Sequence, residues 1–102
     1  MAIINTNSIY ADYGAAITGA SADTTVKNRA GLVYGVAVNT AGAASAIIEY
    51  YDGAVATGAK AGQSILTAAG VIQFSSPIHF KSSIHVKTTD SGGNAICRVL
   101  FR

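Results

Sequence analysis

His79 and His85 are the chain's two histidines, six positions apart, with Pro77 and Lys81 close to the first. Two imidazoles are too few for a zinc or iron centre, which needs three or four protein ligands, and no acid stands at ligand spacing from either. A metal site within one chain is not expected. A shared site, with copies of one histidine gathered on an oligomer axis, stays open. Serine and threonine are plentiful, yet no G-x-S-x-G elbow occurs and neither histidine has an evident Asp or Glu to orient it beside a nucleophile. Glu49 stands alone between apolar neighbours, without the second carboxylate that acid–base chemistry would pair with it.

Cys97 is the sole cysteine, so neither an intrachain disulfide nor a cysteine-based zinc site can form; on an apolar strand face and without a CxxC partner it reads as a buried structural thiol. The glycines between Gly53 and Gly62 resemble a phosphate-cradling loop only superficially. No GK[ST] follows, and their spacing fits neither nucleotide fingerprint. Tyr10, Tyr13 and Tyr51 are the rings most free to form a carbohydrate platform, although loop aromatics more often pack than bind sugars. The residue pattern therefore points to no enzyme and no cofactor.

What must position these residues is a small, weakly charged domain. The 102 residues are 50% hydrophobic and only 12% charged, about half the usual charged fraction of ~25%. A domain of this size has a large surface for its volume, so a shortage of charge implies that part of the exterior rests on other subunits. Charge is also unevenly placed. Up to residue 52, Asp12, Asp23, Glu49 and Asp52 outnumber Lys27 and Arg29; beyond it Lys60, Lys81, Lys87, Arg98 and Arg102 face only Asp90. The basic second half suits an acidic partner surface, but it lacks the dense patch with stacking aromatics that nucleic acid requires. No segment is long and apolar enough for a bilayer helix, and the N-terminus has no signal-peptide pattern, so a cytosolic site of synthesis is expected.

Gly31–Asn39 is the strongest strand signal, with β-branched and aromatic residues bounded by turn formers. Period two predicts Leu32, Tyr34, Val36 and Val38 on one face, and the small Val33, Gly35 and Ala37 on the other, where a second layer approaches. A first strand is expected near Thr24–Lys27, turning at 28–31 into this central one. Strands are also expected at Ser45–Tyr51, antiparallel to the central strand, and at Ser64–Ala68 and Val71–Phe74. Gly53–Gly62 is expected as a loop. Pro77 should interrupt pairing before Ile78–Phe80. Ile84, Val86 and Thr88 should point inward, against outward Ser83, His85, Lys87 and Thr89. On the last strand Ala95, Cys97, Val99 and Phe101 should point inward, leaving Ile96, Arg98, Leu100 and Arg102 outward. Residues 1–23 show no sustained period and read as an extended arm. The expected architecture is all-β: an antiparallel, jelly-roll-like β-sandwich over residues 24–102 with an N-terminal arm over 1–23.

The run Thr25-Val26-Lys27, then Gly31 to Val38, then Ile48-Glu49-Tyr50-Tyr51-Asp52-Gly53, Ile78-His79-Phe80 and a closing strand resembles the small head-decoration, or capsid cement, proteins of tailed bacteriophages. The resemblance covers roughly residues 25–102. It implies a virion protein, made in the host cytoplasm, that binds the major capsid protein on the outside of the head, commonly as a homotrimer, and reinforces the shell through many repeated contacts. On that reading Ile3, Ile4, Ile9 and Tyr10 of the arm meet the capsid, while Ile96, Arg98 and Leu100 form a subunit face. It implies no nucleic-acid or membrane partner and no catalytic residue. The alternative is a fibre-like or glycan-binding virion module, with Tyr13, Tyr51 and the Gly53–Gly62 loop as its surface.

Overall fold

A computed structural model describes residues 12–14, 17–18, 21–43, 45–53, 56, 60–90 and 95–102. Among these described residues nine strands run in chain order: β1 (Asp12–Tyr13), β2 (Ile17–Thr18), β3 (Ser21–Lys27), β4 (Gly31–Thr40), β5 (Ile47–Asp52), β6 (Lys60–Ile65), β7 (Gly70–Phe80), β8 (Ile84–Thr89) and β9 (Ile96–Phe101). One sheet has the order β1-β9-β4-β7, with β2 also on β9, and the other the order β3-β8-β5-β6; every pairing is antiparallel. From β2 to β9 the chain changes sheet at every connection except β5 to β6, giving β2-β9-β4-β7 over β3-β8-β5-β6, which is the jelly roll, two sheets linked by Greek-key crossings.

Alternation along each strand supplies the core. Val33, Val36, Val38, Cys97 and Val99 from one sheet meet Ile48, Tyr50, Ile84 and Val86 from the other, all at most 4% exposed. Each such aliphatic side chain contributes about 1.5–3 kcal/mol through removal from water. Across the gap the Tyr50 and Phe74 rings meet edge to face, their centroids 5.7 Å apart. The Tyr50 hydroxyl reaches Ser64 Oγ at 3.0 Å, which satisfies both buried groups. Crossing loops are tied by carboxylates. Asp90, fully buried, accepts from the Ala43 and Ala95 amides, and Asp52 accepts from the Lys81, Ser82 and Ser83 amides.

Several expectations need correction. Sequence neighbours β4 and β5 do not pair, nor do β3 and β4, because each connection crosses from one sheet to the other; among the described residues only β5 and β6 form a sequence-local hairpin. Strand β4 does not keep one phase. Its ladders pass from Val33↔Phe101 to Gly35↔Leu100 and from Val33↔Ile78 to Gly35↔Gln73, so a bulge at Tyr34 resets the alternation. Val33 thus joins Val36 and Val38 in the core, while Leu32 and Tyr34 are half-buried. Pro77 interrupts pairing as expected: Phe74, Ser75, Ser76 and Pro77 stand opposite Tyr34 within an otherwise continuous β7. The strand expected at Ser64–Ala68 begins earlier, at Lys60, and ends at Ile65, which shortens the expected loop. On β8, Ile84, Val86 and Thr88 do point inward, but His85, and Ser83 just before the strand, are buried as well.

Of the segment read as an arm, Asp12–Tyr13 and Ile17–Thr18 lie alongside β9, and Ser21–Asp23 are already part of β3. Ile3, Ile4, Ile9 and Tyr10 lie outside the described residues.

Candidate functional site

The two sheets present chemically different outer faces. On β3-β8-β5-β6 the register sets Thr25, His85, Tyr51 and Lys60 in one cross-strand row and Asp23, Lys87, Glu49 and Gln63 in the next. The His85 ring is enclosed: Nδ1 lies 3.2 Å from Thr25 Oγ1 and Nε2 3.1 Å from Asp23 Oδ1. Lys60 Nζ donates to Glu49 Oε2 at 2.9 Å and to Gln63 Oε1 at 2.8 Å, and the bond to the Glu49 carboxylate holds the lysine above its ordinary pKa. Partial desolvation and the adjoining Glu49 carboxylate raise the Tyr51 phenol.

By spacing alone neither histidine had an acid partner. The β3–β8 ladder supplies Asp23 to His85 from 62 positions away, and the clue was the alternation of Asp23 and Thr25 against that of His85 and Lys87. A hydroxyl, an imidazole and a carboxylate in series resemble a nucleophile and its base. Here they lie across a sheet face, where each group is occupied by its neighbour. Among the described residues no three His, Cys, Asp or Glu side chains converge as a metal site.

The outer face of β1-β9-β4-β7 is nearly charge-free. One cross-strand row runs Arg98, Ala37, Val71 and the next Leu100, Gly35, Gln73. Small residues on β4 make a floor between walls from β9 and β7, and a shallow depression of about 460 Å³ opens there, lined by Ala37, Val38, Asn39, Gly70, Val71 and Arg98. Val71 is 60% exposed. Arg98 is exposed, and its Nη1 donates to the Gly14 carbonyl at 3.4 Å, which steadies the guanidinium at the rim.

Of the residues expected at a subunit face, Arg98 and the half-buried Ile96 alternate with buried Cys97 and lie on this outer side, whereas Leu100 is only 6% exposed and already covered within the chain. Ala37 and Val71 were not singled out in the sequence; they join Arg98 only through the β9-β4-β7 register. Tyr51, offered for a glycan surface, is 8% exposed, and Tyr13 stands opposite Leu100 in the β1–β9 ladder. Of the Gly53–Gly62 segment, residues 54–55 and 57–59 lie outside the described residues. Cys97 is fully buried, as expected, and burial pushes its thiol up to about 11.

No protein-family model, no curated protein and no solved structure matches the chain.

Proposed function

We propose that this chain is a structural protein of a bacteriophage virion, a decoration or cement protein that docks on the outside of the head and stabilises it. The observation that carries the reading is the outer face of β1-β9-β4-β7, where Arg98 stands beside Ala37 and the exposed Val71. Such a face loses little on leaving water, and its guanidinium can meet a carboxylate on the shell. Two further features support the reading. The jelly roll recurs among viral shell proteins, an argument from architecture alone, and the low overall charge suits a subunit that spends surface on its neighbours. The major capsid protein is the partner, with Ile3, Ile4, Ile9 and Tyr10 as the arm's contribution. Repetition over a shell lets weak single contacts sum to strong retention. The enclosed Tyr51 is one of the two rings, with Tyr13, that the glycan-binding alternative placed on its surface.

Cosedimentation with purified heads lacking the protein tests the proposal. The wild type should pellet with heads to a saturable stoichiometry, and Arg98→Glu should pellet at least about tenfold less efficiently at equal concentration, since it sets like charges against an acidic patch. Failure of the wild type to pellet at any concentration overturns the reading.

A further inference from the structure

Among the described residues the two sheets have four edges, and three of them carry charge: Asp12 on β1, which shares its edge with the two-residue β2, Asp23 and Lys27 on β3, and Lys60 on β6. Charges on an edge discourage another strand from pairing there. The fourth edge, β7, is different. Its first seven residues, Gly70-Val71-Ile72-Gln73-Phe74-Ser75-Ser76, hold no charge and no proline, and β4 is its one strand partner among the described residues. The register with β4 breaks between Gln73 and Ile78, but along β7 the alternation of exposed and half-buried residues runs on through Ser75; Pro77 guards only the second half, where β6 also comes close enough that a Cβ on Gly62 would lie 2.9 Å from Ile78 Cδ1. At the open half Ile72 and Phe74 point toward the core yet stay half-buried, and Val71 and Gln73 are exposed.

We infer that this half of β7 pairs antiparallel with β7 of a second copy about a twofold axis through Gln73, joining two sheets into one. A twofold contact sets each residue against its symmetry mate or that mate's neighbour, so the strand must be complementary to itself. An uncharged strand meets that condition without repulsion. With Gln73 opposite Gln73, Ile72 falls beside Phe74 of the other copy on the core side, an aromatic and β-branched pair of the kind that stabilises ladders. On the outer side the two Gln73 amides meet on the axis and Val71 meets Ser75. The pairing covers the apolar pair at the sandwich edge and satisfies a row of backbone groups. Because the axis is normal to the sheet, both Arg98 side chains emerge on the same face. This inference does not depend on the shell-binding reading and goes beyond it.

Sedimentation velocity of the full chain over a wide concentration range tests it. The wild type should form a dimer. Gln73→Lys, an exposed substitution that puts two ammonium groups on the axis, should weaken dimerisation at least about tenfold while keeping the wild-type circular dichroism spectrum. Gln73→Glu should do the same, and mixing the two variants should restore a dimer containing one of each. A protein that is monomeric at every concentration overturns the inference, as does a dimer or trimer indifferent to both charges. Either result leaves the binding of heads to be judged by its own assay. Should Gln73→Lys fail to fold, amide exchange of the wild type decides: protection at residues 71–75 that rises with concentration supports the pairing, and concentration-independent exchange refutes it.

Discussion

Replacing Gly35 by alanine tests the bulge on which the β4 alignment rests. A Cβ at this position would lie 2.1 Å from the Ile72 carbonyl oxygen and 3.0 Å from Gln73 Cα, both backbone atoms of the adjoining strand. No rotamer change relieves the clash, so the β7 backbone must withdraw by about 1 Å at its pairing with Gly35. Overpacking of this kind costs about 1–3 kcal/mol, and one or two weakened ladder hydrogen bonds add about 1 kcal/mol each. The expected loss is about 3–4 kcal/mol, out of the 5–15 kcal/mol that holds a typical domain together. For a chain of this length that lowers the melting temperature by roughly 15–25 °C. Thermal unfolding followed by far-ultraviolet circular dichroism measures it, with Gly14→Ala as control because an added methyl there meets its nearest atom at 3.5 Å. The control should melt within about 5 °C of wild type. If Gly35→Ala melts alongside the control, the close approach of β4 and β7 is wrong.

Other consequences follow from single contacts. Three backbone amides hold the Asp52 carboxyl below its ordinary value, so its contribution to stability is present above about pH 4 and fades as pH falls through the lowered folded value. Asp52→Asn should therefore be less stable than wild type at neutral pH, with the gap closing in acid; denaturant titrations at pH 7 and pH 2.5 measure it, and an unchanged gap contradicts the assignment. Cys97, buried and pushed up to about 11, should resist iodoacetamide in native buffer at pH 8 and label at once in denaturant. Stoichiometric native labelling at the rate of a free thiol would place it elsewhere. Deleting Val99–Arg102 removes a fully buried valine from the strand between β4 and β1 and the paired Leu32–Arg102 amide bonds, so the truncated chain should show no cooperative thermal transition.

The chain's strands were legible because β-branched residues and period-two alternation report which face of a strand is buried. Ile84-Val86-Thr88 and Cys97-Val99 could be assigned inward from the sequence alone. The same alternation carries no information about which strand lies alongside. A hairpin of β4 with β5 was therefore a natural expectation, and the jelly roll's crossings, which set partners far apart in the chain, overrode it. The bulge at Tyr34 escaped for a related reason, since nothing within Gly31–Asn39 marks one residue as extra until β7 and β9 are set beside it. Tyr51 and His85 occupy outward positions yet are covered by rows of neighbours from adjoining strands, an enclosure that position parity alone does not record. At the candidate face, Arg98 and Ile96 were visible as outward residues of the last strand, while Ala37 and Val71 became partners only through register.

Hydroxyl-radical footprinting of the protein bound to heads, compared with the free protein, tests most directly which surface does the docking. Val71 and Ile96, beside Arg98, should become markedly less reactive on binding, while Ile65 on the β3-β8-β5-β6 sheet, exposed in the free protein, should stay as reactive as before. Protection of Ile65 with Val71 and Ile96 unchanged would contradict the account.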